Sequence, residues 1–141
     1  IPHFESVLDA LIRIQSIYGR RVSFQVIGDP SYENSLLGIT GKPWNSETEL
    51  SDLHEFDIGI MPLRNTPWEQ GKCAYKVIQY MACGLPVVAS PVGANRSVLV
   101  DGLTGLFASS DVEWVEKLAR VRDIEDLATR FTTSIEGNFS V

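Results

Sequence analysis

Apolar residues fall at helical spacing at the start of the chain and at strand spacing soon after. Phe4, Val7, Leu8, Leu11, Ile12 and Tyr18 recur about one helical turn apart, with Pro2 ahead of them and Gly19 where a helix would stop. Val22 to Ile27 alternates as a strand and ends in the turn Gly28-Asp29-Pro30. Leu36 to Thr40 is a second short apolar run before Gly41. Ser46 and Glu49 have the spacing of a capping box for a short helix carrying Leu50 and Leu53. Asp57-Ile58-Gly59-Ile60-Met61 is a nearly continuous apolar strand stopped by Pro62, and residues 63–70 are polar and read as a loop. The pattern then predicts a helix from about Lys72 to Cys83, with Val77, Ile78 and Met81 inward and Gly84 as its stop. Pro86 to Ser90 is a buried-type strand, Pro91-Val92-Gly93 turns into a short helix starting near Asn95, and Leu103 to Phe107 is a last short strand after the Asp101-Gly102 turn. Ser110 with Glu113 makes a second capping box, opening a helix with Val112, Val115, Leu118 and Val121. A further helix is predicted from Asp123, with Ile124, Leu127 and Phe131 inward.

Helices alternating with short apolar strands imply an α/β fold: a Rossmann-like, doubly wound, mostly parallel sheet with helices on both faces. Such sheets take ligands beyond the carboxyl ends of their strands. That points to the loops after Ile27, Thr40, Met61 and Ser90. Doubly wound domains usually open with a strand, whereas this chain opens in a helix, so its first strand is expected to be missing. The gap or unpaired edge so left invites two chains to associate as a dimer. There is no internal repeat, low-complexity tract or linker.

A length of 141 residues suits one domain with a real core. No apolar run is long enough to span a bilayer. Glu5, Asp9 and Arg13 interrupt the opening segment, which does not read as a signal peptide. The net charge of −6 argues against nucleic acid as a partner. The charge is uneven, however. Arg64, Lys72, Lys76 and Arg96 stand against Glu69 in the middle stretch, which suits a small anionic ligand. Cys73 and Cys83 have no metal-ligand spacing and lie too far apart on one straight helix to bridge. They fit reduced thiols in a cytoplasmic protein. His3 and His54 are isolated, and no Ser/His/Asp set can be assembled.

The specific part is residues 62–105. It contains Glu69-Gln70-Gly71-Lys72, Tyr75-Lys76, Met81-Ala82-Cys83-Gly84-Leu85-Pro86-Val87-Val88-Ala89-Ser90, Gly93-Ala94-Asn95-Arg96, Asp101-Gly102 and Gly105. This stretch closely resembles the C-terminal, donor-binding domain of the retaining glycosyltransferases called group 1 or family 4, which have the GT-B fold. Element order extends the resemblance over nearly the whole chain. The residues also make physical sense for a nucleoside diphosphate sugar. Gly71 lets backbone N–H groups approach an oxyanion. A helix beginning at Lys72 aims its positive end at that ligand. Lys72 and Lys76 lie one turn apart on the same face, where their ammonium groups can neutralise a diphosphate. Gly93 and Asn95 open a second short helix, a further set of free N–H donors.

The resemblance implies that residues 1–141 are one half of a GT-B architecture, the half that binds the nucleotide sugar. Such enzymes retain the donor's anomeric configuration and need no metal or other cofactor. The implied catalytic residues are Glu69, Lys72 and Lys76, and the implied nucleotide-sugar contacts are Gly41, Lys42, Gly71, Gln79, Gly93, Asn95 and Arg96. The base is expected against the loop from Thr40 to Trp44, with Trp44 offering either a stacking surface or mere packing. Members of the family usually carry two glutamates eight positions apart, and here those positions are Gly71 and Gln79. Gln79 can still bond a ribose diol, without the assistance of charge. Glu69, two positions early, is the substitute for the first glutamate, and Ser97 stands where another glutamate is common. The implied acceptor is a glycan, lipid-linked or polysaccharide-biosynthesis acceptor. It is held by an N-terminal domain that also supplies any peripheral contact with the inner face of the membrane. Two alternatives remain: a degenerate, non-catalytic regulatory or binding domain on the same fold, and a sugar-nucleotide epimerase, for which only Glu69 is a candidate acid/base.

Overall fold

The computed structural model describes residues 2–63, 75–122 and 129–134. Helices α1 (Pro2–Glu5) and α2 (Leu8–Tyr18) lead through a 3₁₀ turn (Gly19–Arg21) into strand β1 (Val22–Ile27). A small hairpin follows, β2 (Glu33–Asn34) and β3 (Ile39–Thr40), and then helix α3 (Glu49–His54) and strand β4 (Ile58–Met61). Helix α4 (Tyr75–Ala82), β5 (Val87–Ala89), α5 (Asn95–Val98), β6 (Leu106–Phe107), α6 (Asp111–Arg122) and β7 (Thr129–Ser134) complete the described elements. The main sheet has the order β1-β7-β4-β5-β6, and every pairing in it is parallel.

The strand patterns follow from which faces are covered. Ile58 and Ile60 of β4, Val88 of β5 and Leu106 of β6 join one core cluster, with Leu11 and Ile14 of α2 and Trp114 and Leu118 of α6. Their alternates Met61, Val87, Ala89 and Phe107 join a second, with Leu53 of α3, Val77 and Tyr80 of α4, and Leu99 after α5. The inner strands are thus covered on both faces and are apolar at successive positions. On β1 only Val22, Phe24 and Val26 enter the first cluster, while Ser23 is exposed on the other face. This is why β1 alternates. Fully burying a leucine or isoleucine of this kind contributes roughly 1.5–3 kcal/mol.

Several sequence expectations need correction. The run Leu36–Thr40 is no sheet strand: only Ile39–Thr40 is extended, and it pairs antiparallel with Glu33–Asn34. The chain rejoins the main sheet at one bridge, Ile27 with Lys42. Thr129–Ser134 is a strand and not part of a helix carrying Phe131 inward. Its sequence Thr-Arg-Phe-Thr-Thr-Ser is rich in β-branched and aromatic residues, which favour an extended backbone. It runs between β1 and β4, with Phe131 in register with Phe24 and Ile58, so the position between those two strands is filled and not a gap. Residues 123–128, including Ile124 and Leu127, lie outside the described residues. On α4 Val77 is buried as expected, but Ile78 and Met81 are exposed and Tyr80 is the second residue turned inward. On α6 the buried residues are Trp114 and Leu118, while Val112 is exposed. The Ser110 hydroxyl accepts the Glu113 N–H (3.2 Å) as expected, but the Glu113 carboxylate takes the N–H of Ser109 (3.0 Å).

Candidate functional site

In a parallel sheet each strand delivers its following loop to the same edge, and here that edge gathers most of the described candidates. Gly41 and Lys42 are pinned to the end of β1. The Lys42 N–H donates to Val26 O (2.9 Å), and the Gly28 N–H donates to Lys42 O (2.8 Å). A Cβ on Gly41 would run into the carbonyl oxygen of Asp29, so the glycine is required where the two loops touch. After β4, the Leu63 N–H donates to the buried Ser90 hydroxyl (2.8 Å), tying that loop to the end of β5. Asn95 is almost fully buried, and its Nδ2 donates to Ser90 O (3.0 Å), holding the loop after β5. Arg96 is exposed, with its Nε donating to Pro91 O.

One expectation fails at α5. The N–H groups of Asn95, Arg96, Ser97 and Val98 donate to the carbonyls of Val92, Gly93 and Ala94, and are not free donors. The element is only four residues long, so tight turn bonds satisfy its first amides.

The polar centre of the site lies between α3 and α4. Lys76 is 5 % exposed and Gln79 9 % exposed, one turn apart on α4. The Lys76 ammonium donates to Gln79 Oε1 (2.6 Å) and to Glu49 Oε1 (3.0 Å). Gln79 Nε2 donates to the same Glu49 oxygen (2.6 Å), closing a three-membered ring. Trp44 also hydrogen-bonds the Glu49 carboxylate, so its indole acts at least partly through a polar contact. The ring is positioned by apolar packing. Leu53 of α3 meets Val77 and Tyr80 of α4 in the second cluster. The Tyr80 ring lies on Gly59 of β4, where a Cβ would come within 2.5 Å of it.

Glu49 was legible in the sequence only as half of a capping box, and that box does not form. Helix α3 begins at Glu49 with Thr48 before it and no side-chain cap. Asn45 makes the preceding turn instead, its Oδ1 accepting the Glu47 N–H (2.9 Å). This frees the Glu49 carboxylate to reach α4.

Burial and charge pull in opposite directions on this pair. Burial depresses Lys76 to about 8, even though Glu49 opposes the shift. Burial also pushes Glu49 up, but hydrogen bonds from Gln79, Lys76 and Trp44 outweigh it and hold the carboxyl below its ordinary range. At neutral pH the site is therefore an ion pair with a readily lost lysine proton. Nearby, burial and then the Glu49 charge raise the Cys83 thiol. Glu69, Gly71 and Lys72, with the expected helix start, lie outside the described residues, so what the structure brings together is Glu49, Lys76 and Gln79.

The family model described as Glycosyl transferases group 1 matches residues 3–123. The match spans most of the chain, and the protein belongs to that family of sugar-transferring enzymes. No curated protein matched the chain.

Proposed function

We propose that this chain is the C-terminal, nucleotide-sugar-binding domain of a two-domain glycosyltransferase that transfers a sugar with retention to a glycan or lipid-linked acceptor. The observation that carries this reading is a lysine, buried but charge-paired, at the strand-end edge of a parallel sheet in a group 1 glycosyl transferase. An ammonium in a low-dielectric site favours a departing diphosphate far more than one in water does. In this reading Lys76 and Lys72 neutralise the diphosphate, with Arg96 beside them. Glu69 orients the sugar and Gln79 the ribose diol. Gly41 and Lys42 border the base, and Gly71, Gly93 and Asn95 shape the loops around the phosphates. The acceptor sits on an N-terminal domain and attacks from the face the leaving group vacates, with no metal in the reaction. The enzyme works in the cytoplasm, at the inner face of the membrane where its acceptor is lipid-linked. Catalysis needs both domains positioned together.

A second reading, a non-catalytic binding domain on the same fold, is favoured by one fact: Glu49 already neutralises Lys76. Calorimetric titration of the protein with UDP, GDP and ADP tests the first reading. Saturable binding of one nucleotide, weakened at least about tenfold in Lys76→Ala, is expected, since a hydrogen bond to a charged group contributes about 1.5–3 kcal/mol. Binding that the substitution leaves unchanged would refute the role given to Lys76.

A further inference from the structure

We propose that Glu49, from the helix before β4, is a positioning residue that holds the Lys76 ammonium charged and aimed, and thereby sets the pH range over which this site binds an anionic nucleotide. The inference rests on the reading of Lys76 as a diphosphate contact. It starts from geometry. The two side chains come from segments 27 residues apart and meet at 3.0 Å, with the lysine side chain 6 % and the glutamate side chain 15 % exposed. An ammonium so far out of water gives up its proton readily unless an anion stays beside it. Glu49 supplies that anion, and the Glu49 carboxylate is itself fixed by Gln79 and Trp44.

The same geometry accounts for Gln79, where the family resemblance implies an acid. A glutamate there would put a second carboxylate within hydrogen-bonding distance of Glu49, and two like charges so close repel. Glutamine avoids this. Its oxygen accepts from Lys76 while its nitrogen donates to Glu49, so one neutral amide satisfies both charges. The negative charge of this site therefore sits on α3 and not on α4.

Among the described residues, the other charged or titratable groups nearby are engaged elsewhere. On α3, Asp52 accepts a hydrogen bond from the Thr48 hydroxyl (3.1 Å). On α5, Arg96 is turned to the Pro91 carbonyl. On α4 the Tyr80 hydroxyl donates to Ile60 O, and just past the helix the Cys83 thiol is raised by burial and by the Glu49 charge.

The test compares wild type, Glu49→Gln and Glu49→Asp by two readouts: the titration midpoint of the Lys76 side chain by heteronuclear NMR, and the affinity for UDP, GDP and ADP across pH 6–9. The wild-type midpoint is expected near 8. In Glu49→Gln it should fall by about one pH unit or more, with Glu49→Asp in between. Nucleotide affinity should fall about fivefold or more at pH 8 in Glu49→Gln, stay near wild type at pH 6, and recover in part in Glu49→Asp. A Lys76 midpoint unmoved by Glu49→Gln would overturn the proposal, and so would an equal loss of affinity at every pH. If Glu49→Gln does not fold, a wild-type midpoint at the ordinary lysine value, or a Glu49→Asp midpoint equal to the wild type's, overturns it as well. The NMR midpoint needs no nucleotide. A shifted midpoint in a protein that binds none of the three would therefore uphold the positioning role and refute the donor-site reading separately.

Discussion

Replacing Gly59 with alanine should lift helix α4 off the sheet. The new Cβ would lie 2.5, 2.5 and 2.8 Å from three atoms of the Tyr80 ring. Ordinary contact begins near about 3.4 Å, so the ring would have to retreat by almost one ångström. Tyr80 has no room to do so. It is fully buried among Leu53, Val77, Val87 and Leu99. Its hydroxyl also reaches back to Ile60 O (3.4 Å). Overpacking of this kind typically costs about 1–3 kcal/mol, and a rigid ring over backbone belongs in the upper half, about 2–3 kcal/mol. For a chain of this size that corresponds to a fall in Tm of roughly 8–12 °C in a thermal melt followed by circular dichroism. Because Tyr80 neighbours Gln79, the shift should also loosen the bond from Gln79 to Glu49 and weaken nucleotide binding. Trimming the ring should relieve the strain, so Tyr80→Leu ought to cost less in the Gly59→Ala background than alone. A Gly59→Ala protein melting within about 1 °C of wild type would refute the packing argument.

Three further outcomes follow from the same contacts. Asn95→Ala should destabilise the protein by about 0.5–1.5 kcal/mol in urea unfolding, because it removes one of two donors to the buried Ser90 O and leaves only the Val92 N–H on it. Nucleotide affinity in the wild type should weaken as pH rises through about 8, where Lys76 loses its proton, whereas Lys76→Met should show a weaker affinity and no such step in calorimetry. Stability should respond with the opposite sign. The unfolded chain holds the Lys76 proton more tightly than the folded one between about 8 and 10.5, so the cost of burying this charge is relieved as pH rises through that window. The difference in Tm between wild type and Lys76→Met should therefore move in favour of wild type from pH 8 to pH 10.

Much of the architecture was legible because strand burial leaves a direct trace. The apolar runs of β4 and β5 reported two covered faces, and the alternation in β1 reported one. What misled was local spacing that tertiary contacts override. Leu36–Thr40 has the composition of a sheet strand, but the turn at Asn34 to Gly38 folds it back on Glu33–Asn34. Thr129–Ser134 follows a helix-like stretch, yet its threonines and Phe131 pair between two parallel strands that no local pattern points to. At the site, Lys76 and Gln79 could be named because they sit one turn apart on a single helix. Glu49 could not, since its partners are 27 and 30 residues away and its spacing from Ser46 offered a nearer explanation. The glutamine at 79, where the family resemblance implies an acid, was the one sequence sign that pointed away from α4 for the carboxylate.

The central claim is that a nucleotide sugar binds at the strand-end edge built around Lys76. Amide and side-chain NMR spectra of the labelled protein, recorded during titration with the nucleotide that calorimetry selects, test it most directly. The shifts should concentrate at Gly41–Lys42, Glu49, Lys76–Gln79 and Gly93–Arg96, and leave the exposed outer face of α6 around Val112 unmoved. Shifts centred on α6 or α2, with Lys76 and Gln79 unchanged at saturation, would contradict it.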